Sequence, residues 1–308
     1  MIQLKHRLEF IAVLLLKRAA NILPYRAALV LGWFLALLGF YGLRFRRAEA
    51  IRRIRSVFGE SCTPARAKAI AWEAFRNFIF TAIESMRGER VDAAWLQAQV
   101  DDRGMFQVMQ TRTAAGNGAV VALPHMGSWE LAGAAYRVMH IPLFSIAAKQ
   151  KNPYFNEYLN QQRARSGIEI LVRGENSLKL VLRNLKQGKC FAILPDVRMP
   201  TPALVVPFLG AMANVGGGMA LFARQANVPI YPTVLTRQGW FRHTFNLLDP
   251  ISPDSTLSRD DDMRRMTRDV FARFDQAIRD NPGQWFWYNK RWILDPVNPA
   301  PAASEPPI

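Results

Sequence analysis

From about residue 104 onward, short apolar segments alternate with segments whose apolar residues have helical spacing. The segments predicted as strands are 119–124, 142–148, 168–172, 189–195, 228–237 and 241–251. The segments predicted as helices are 128–140, 153–167, 176–188, 217–227 and 259–282. Alternating strands and helices are typical of an α/β domain, and two successive strands near the end indicate some antiparallel pairing. The sequence therefore predicts a central mixed, largely parallel sheet flanked by helices.

The chain before this region is predicted to be helical. Residues 63–87 keep apolar residues at helical spacing, with Thr63 as N-cap and Pro64 at the first helical position. Further upstream, the uncharged run 27–43 has 17 residues, close to the shortest helix that can span a bilayer. The arginine-rich stretch 44–55 follows it, and such residues pair with lipid phosphates and stay on the cytoplasmic side.

Three interpretations of the N-terminal apolar region compete. A cleavable signal peptide is disfavoured because charges interrupt the segment and no A-x-A site follows it. A helical hairpin buried in the core is an alternative. A membrane-spanning or interfacial anchor is favoured by the arginines. We therefore expect a membrane-associated helical segment at 1–47, one α/β domain at 48–297 and a disordered Pro-rich tail at 298–308.

The net charge of +16, from 40 Lys and Arg against 24 Asp and Glu, suits a polyanionic partner. Arginine-rich composition of the genome is the alternative explanation. The basic residues are not interleaved with aromatics as in a nucleic-acid-binding module. An anionic membrane surface is therefore predicted, and nucleic acid is not. Two isolated cysteines, Cys62 and Cys190, indicate a reducing compartment and no disulfide framework.

The motif PHMGSWE, residues 124–130, lies at a predicted strand-to-helix turn. Open α/β sheets bind ligands at the carboxyl ends of their strands, which is where this turn places His125. Ser128 is a predicted N-cap, and Glu130 would lie in the first helical turn. A carboxylate beside an imidazole fixes its tautomer and stabilises the imidazolium, as a general base requires. The alternative is a turn histidine beside a helix-capping glutamate.

Other catalytic motifs are missing from the sequence. It has no G-x-S-x-G elbow, no H-E-x-x-H and no P-loop, and the spacing of the other histidines does not suit metal ligation. Neither a metal nor another cofactor is expected.

Several blocks in order resemble the lipid A biosynthesis acyltransferases of the glycerolipid acyltransferase superfamily. They are LPHMGSWE, the Asn-Pro block with its R-x-R-x-G ending at 149–171, the Asp-containing loop with VPFLG at 193–232, and GQWFWYNKRW at 283–292. The N-terminal apolar segment is also similar. Asn289 stands where that family often has a histidine. The resemblance implies a glycerolipid acyltransferase-like fold and transfer of an acyl group to a hydroxyl of a lipid A precursor, a related glycolipid or a phospholipid.

The same resemblance implies roles for individual residues. His125 would deprotonate the acceptor hydroxyl, and Glu130 would orient and stabilise His125. Arg163 and Arg165 would stabilise the tetrahedral intermediate or bind phosphate, or would only be favourable cations at a helix end. Asp196 would order the site or the arginines, or would be a turn residue. Lys149 and Asn152 would line the substrate entrance.

The expected donor is an acyl carrier protein or acyl-CoA thioester, and the expected acceptor is a lipid. The location implied is the inner (cytoplasmic) membrane, with the catalytic domain on the cytoplasmic face. The alternative hypothesis is a non-catalytic, membrane-associated lipid-binding protein on the same fold.

Overall fold

The computed structural model describes residues 2–147, 152–154, 157–158, 168–172, 174 and 177–296. Its helices are α1 (Ile2–Ile22), α2 (Tyr25–Leu37), α3 (Arg47–Phe58), α4 (Pro64–Met86), α5 (Ala93–Gln99), α6 (Met105–Ala114), α7 (Trp129–Val138), α8 (Ser177–Lys186), α9 (Gly218–Ala226) and α10 (Arg259–Asp280). Its strands are β1 (Val100–Asp101), β2 (Ala119–Ala122), β3 (Leu143–Ala147), β4 (Glu169–Val172), β5 (Cys190–Ile193), β6 (Leu204–Phe208), β7 (Ala211–Val215), β8 (Ile230–Gln238) and β9 (Arg242–Leu247). Helix α2 continues as a π-helical turn over Leu38–Gly42.

Seven strands form one sheet in the order β1-β9-β8-β2-β5-β3-β4. Every neighbouring pair is parallel except β8 and β9, which are antiparallel. Strand β5 lies between β2 and β3, although β3 and β4 precede it in the chain. Strand β2 is central, and all four of its residues are buried, as expected of a parallel strand covered on both faces.

Two hydrophobic layers cover the faces of this sheet. Val120 belongs to the layer that contains Phe271 of α10, whereas its neighbour Val121 belongs to the layer that contains Tyr136 of α7. This division follows from the strand geometry, in which successive side chains point to opposite faces.

The N-terminal helices form a hairpin against the α/β domain. Leu29 of α2 is buried with Phe80 and Ile83 of α4. The contact is close at Gly32, where an added Cβ would lie 3.3 Å from both Phe80 and Ile83. In the described part of the chain, one helical stretch, Tyr25–Gly42, is long and apolar enough to cross a membrane.

The predicted fold class, an α/β fold with a mixed and largely parallel sheet, is confirmed. The predicted helix 63–87 is α4, and the Thr63 hydroxyl accepts a hydrogen bond from the Arg66 amide (3.2 Å).

The antiparallel hairpin β6–β7 was not predicted, and it forms a separate two-stranded sheet. Most of the predicted helix 153–167 and the whole tail 298–308 lie outside the described residues. The division into segments at 1–47, 48–297 and 298–308 stays a prediction.

Candidate active site

The turn that carries His125 follows β2, and Asp196 follows β5. These two strands are parallel neighbours, with Ala122 paired to Ile193, so the chain leaves both at the same edge of the sheet. The Leu123 amide extends the ladder by donating to the Ile193 carbonyl (2.9 Å). Two residues 71 positions apart are therefore brought together by the order of the strands.

Asp196 holds both the ring and the backbone of His125. The Asp196 Oδ1 atom lies 2.7 Å from His125 Nδ1, and Oδ2 accepts the His125 backbone amide, also at 2.7 Å. The Trp285 indole donates to the same Oδ2 (2.8 Å). The Asp196 side chain is only 1% exposed, against 25% for His125. The Asp196 carboxylate is thus buried and held by hydrogen bonds against Nδ1 of the His125 ring. No described residue is hydrogen-bonded to Nε2 of that ring.

The pKa values of the two groups shift in opposite directions. Burial lowers the pKa of His125, but the charge and hydrogen bond of Asp196 outweigh burial and raise it, with a smaller contribution from the charge of Glu130. Burial raises the pKa of Asp196, but the charge of His125 and hydrogen bonds from His125 and Trp285 hold it below its usual value. The pair therefore favours an ionised Asp196 beside an imidazole that readily accepts a proton.

The position of Glu130 differs from the expectation that it orients His125. Glu130 is exposed in the first turn of α7, and the carboxylate hydrogen-bonded to the ring is that of Asp196. Glu130 acts on His125 only through its charge. The reason is local geometry, because the turn 124–128 directs Nδ1 toward the end of β5, away from α7.

Gly127 gives this turn its shape. Its φ of +60° lies in the left-handed region, and an added Cβ would lie 2.2 Å from the Leu235 carbonyl oxygen. The Gly127 amide donates to the Gln284 carbonyl (2.9 Å), and the Gly127 carbonyl accepts the Thr81 hydroxyl (2.9 Å). The Phe286 amide donates to the His125 carbonyl (2.9 Å). The turn is thus held between α4 and the segment that follows α10.

Ser128 does not cap α7, contrary to the expectation from sequence. Its hydroxyl donates to Glu84 Oε2 (2.6 Å), and no side-chain capping hydrogen bond is formed. Glu84 is buried and forms a two-pronged ion pair with Arg237 (2.7 Å for both contacts). Tyr25 at the start of α2 donates to the other oxygen of Glu84 (2.7 Å). The Ser128 hydroxyl is thus engaged by the buried Glu84 carboxylate, a charged acceptor, instead of capping the helix.

The remaining predicted site residues are described only in part. Lys149, Arg163 and Arg165 lie outside the described residues, so their roles stay predictions. The Asn152 side-chain amide donates to the His6 carbonyl of α1 (3.1 Å). Asn152 therefore contacts the N-terminal hairpin.

A cavity opens beside the His125–Asp196 pair. It is lined by Trp285, Phe286, Asn289, Arg291, Trp292 and Ile293, in addition to the pair itself. Three aromatics of this segment, Trp285, Trp287 and Trp292, are buried. No local sequence pattern indicated that one of them, Trp285, would donate a hydrogen bond to Asp196. In the described part of the chain, no group of His, Cys, Asp or Glu side chains could hold a metal ion.

The fold and this geometry define a class of protein: an α/β enzyme-like domain with a histidine–carboxylate pair at the carboxyl edge of its central strands. The chain belongs to the bacterial lipid A biosynthesis acyltransferase family, whose family model matches residues 2–293.

Two similar curated proteins have names that specify an acceptor. The phosphatidylinositol mannoside acyltransferase of Mycobacterium tuberculosis (strain CDC 1551 / Oshkosh) is 25% identical over 197 residues, 62% of this chain and 60% of the relative. The protein of the same name from Mycolicibacterium smegmatis (strain ATCC 700084 / mc(2)155) is 25% identical over 186 residues, 59% of each chain. The similarity thus spans about 60% of the length of these relatives.

Proposed function

We propose that this protein is a membrane-bound O-acyltransferase that moves a fatty acyl group from a thioester to a lipid hydroxyl. The observation that carries the proposal is the 2.7 Å contact of His125 Nδ1 with buried Asp196, which leaves Nε2 to accept a proton. Membership in the lipid A acyltransferase family supports the reaction class.

The reaction begins with His125 as general base. As Nε2 takes the proton of the acceptor hydroxyl, the hydroxyl oxygen forms a bond to the thioester carbonyl carbon. The carbonyl electron pair moves onto its oxygen to give a tetrahedral intermediate. The intermediate collapses with cleavage of the C–S bond, and the sulfur receives the proton from the His125 imidazolium. The products are an ester and a free thiol, and no protein nucleophile is needed.

The two carboxylates have different proposed roles in this step. Asp196 keeps Nδ1 as the protonated nitrogen and stabilises the imidazolium by direct contact. Glu130 stabilises the same imidazolium through space, as its effect on the pKa of His125 supports. Arg163 and Arg165 stay proposed residues for stabilising the tetrahedral intermediate or for binding an acceptor phosphate.

The proposed acceptor is a membrane lipid with a free hydroxyl, namely a lipid A precursor, a related glycolipid or a phospholipid. The relatives named phosphatidylinositol mannoside acyltransferases support a glycolipid, and the family match supports lipid A chemistry. The proposed donor is an acyl carrier protein or acyl-CoA thioester.

The test is an assay of the purified full-length protein with palmitoyl-CoA or an acylated carrier protein and a panel of lipid acceptors in mixed micelles. We expect a product heavier by one acyl group, and His125→Ala should form none above background while folding normally. Lipid mass spectrometry of a deletion strain then names the acceptor, as the lipid that loses one acyl group. Tight lipid binding without any thioester turnover would instead support the non-catalytic lipid-binding hypothesis.

The membrane-facing surface is proposed to be the N-terminal hairpin. Of 17 exposed large hydrophobic residues in the described part of the chain, 12 lie in the first 45 positions. On α1, the exposed residues Leu4, Leu8, Ile11 and Leu15 have helical spacing and so form one stripe. On α2 and its π-helical continuation, Phe34 and Leu38 are each 58% exposed.

We propose that this hairpin lies in the membrane interface without crossing the bilayer. The face of α2 opposite Phe34 and Leu38 packs against α4, so the helix cannot leave the domain to span the membrane alone. Exposed Arg44 and Arg52 lie just beyond it and would meet anionic lipid phosphates on the cytoplasmic side. Arg53 of the same cluster does not face lipid, because its guanidinium is buried in the protein.

We expect the double variant Phe34→Ser with Leu38→Ser to bind vesicles containing phosphatidylglycerol about ten- to a hundredfold more weakly. Phe34 and Leu38 are each 58% exposed, so moving that part from water into lipid is worth about 1–1.5 kcal/mol for each side chain, about half of the value for complete burial. Cosedimentation with vesicles measures the change. Val108→Ser with Leu178→Ser, two exposed apolar positions elsewhere on the domain, is the matched control and should bind normally. Equal binding of both double variants would contradict the proposal.

A further inference from the structure

Arg291 lines the cavity beside His125, together with Asn289 and Trp292. Among the described residues that line this cavity, it is the one with a permanent positive charge. The residue belongs to the segment GQWFWYNKRW, whose basic residues the reaction described above does not use.

The start of this segment is attached to the His125–Asp196 pair. The Trp285 indole donates to Asp196 (2.8 Å), and the Phe286 amide donates to the His125 carbonyl (2.9 Å). Met126 and Trp285 also form an antiparallel bridge. The segment therefore cannot move independently of the base.

The middle of the segment is held by Arg53 from α3. This buried guanidinium donates to the carbonyls of Trp287 and Asn289, at 2.8 Å each, and lies 4.8 Å from the centre of the Trp292 ring. The Asn289 side chain in turn accepts the Arg291 backbone amide (3.1 Å). The backbone of Arg291 is therefore placed by contacts on both sides of it.

The Arg291 guanidinium itself is exposed and has no hydrogen bond or ion pair with any described residue. Arg198 provides a contrast, since its guanidinium donates to the carbonyls of Asp295 and Pro296. Arg291 thus combines a well-placed backbone at the cavity of the base with an exposed, unpartnered guanidinium, as expected for a group that meets its partner only in the bound complex.

We propose that Arg291 is a further catalytic residue, whose guanidinium stabilises the oxyanion of the tetrahedral intermediate. The inference rests on the proposed acyl transfer. The acceptor oxygen activated by His125 must approach the thioester carbon to about 3–3.5 Å, so the carbonyl oxygen lies close to the same cavity. As the C–O bond forms, the carbonyl electron pair becomes a negative charge there, and a guanidinium stabilises that charge until the C–S bond breaks.

A phosphate of the donor is a less suitable partner for this cation. In CoA and acyl carrier protein, the pantetheine arm separates the phosphate from the thioester sulfur by many bonds. A cation that lines the cavity of the base therefore meets the carbonyl end of the donor.

The test compares Arg291→Ala, Arg291→Lys and the matched control Lys290→Ala, an exposed cation of the same segment that does not line the cavity. We expect Arg291→Ala to lower kcat about 10²–10³-fold, as removal of an oxyanion donor typically does, with KM changed less than about threefold. Arg291→Lys should recover part of the loss, and Lys290→Ala should keep wild-type kcat.

A pH profile separates a loss of oxyanion stabilisation from a change at the base itself. Arg291 is not among the groups that shift the pKa of His125, so Arg291→Ala should lower kcat while the acidic limb of kcat/KM keeps its wild-type position. An unchanged kcat in Arg291→Ala, or a loss confined to KM, would overturn the inference. If the wild-type protein transfers no acyl group, the proposed function has failed, whereas an active wild type with an equally active Arg291→Ala refutes the inference alone.

Discussion

We expect Asp196→Asn to lower kcat/KM about 10²–10⁴-fold, the range over which a general base contributes to catalysis. The carboxylate accepts a hydrogen bond from Nδ1 at 2.7 Å, and this keeps Nε2 unprotonated. An amide can present its NH₂ group to Nδ1, which would move the ring proton to Nε2 and leave the base unable to accept the acceptor's proton. The variant also loses the charge that stabilises the imidazolium.

The pH profile and a double-mutant cycle check this explanation. Because Asp196 raises the pKa of His125, the residual activity of Asp196→Asn should have its acidic limb at lower pH than wild type. The double variant with His125→Ala should be no slower than His125→Ala alone, because the two residues act as one unit. Asp101→Asn, which removes an exposed carboxylate, is the matched control. Full activity of Asp196→Asn with an unchanged profile would contradict the assignment.

The second large effect is expected on stability. Glu84→Gln should lower the free energy of unfolding by about 3–5 kcal/mol, because it leaves the Arg237 guanidinium, 0% exposed, without its counter-charge. The hydroxyls of Tyr25 and Ser128 would also lose a charged acceptor. Denaturant unfolding followed by circular dichroism measures the change.

A surface ion pair provides the control for this prediction. Glu89 is 48% exposed and forms an ion pair with Lys17. Glu89→Gln disrupts this pair and should change the free energy of unfolding by about 0–1 kcal/mol. Adding Arg237→Met to Glu84→Gln should recover part of the loss, because no buried charge then lacks a partner. Equal unfolding midpoints for Glu84→Gln and wild type would show that the pair contributes no net stability.

The fold class could be predicted because strand and helix periodicities are properties of neighbouring residues. The resemblance named Asp196 as a residue that orders the site, but its pairing with His125 could not be predicted, because that pairing depends on the order of strands in the sheet. Strand β5 inserts between β2 and β3, so Asp196 meets His125 across 71 residues, whereas Glu130, five residues away, is exposed. Sequence proximity favoured the glutamate, and tertiary structure places the aspartate at the ring.

Two further features show the same limit. Glu84 lies within a helix predicted from its apolar spacing, and nothing local distinguishes it from a surface glutamate, since Arg237 lies 153 residues away. Arg53 lies in a cluster that we expected to face lipid, yet its carbonyl partners are about 235 residues further along the chain. Charge patterns in the sequence predict the net charge of a surface region, but they do not show which of its charged side chains are buried in the protein.

Helix α4 has a consequence for which lipids can react. Phe80 and Ile83 on one side of it hold α2, while Thr81 between them holds the Gly127 carbonyl in the turn of the base. If α2 rests on the bilayer, His125 sits at a fixed height above the lipid surface, set by rigid packing. Under the proposed function, an acceptor must then carry its reacting hydroxyl at that height, so we expect headgroup length to contribute to substrate selection alongside headgroup chemistry.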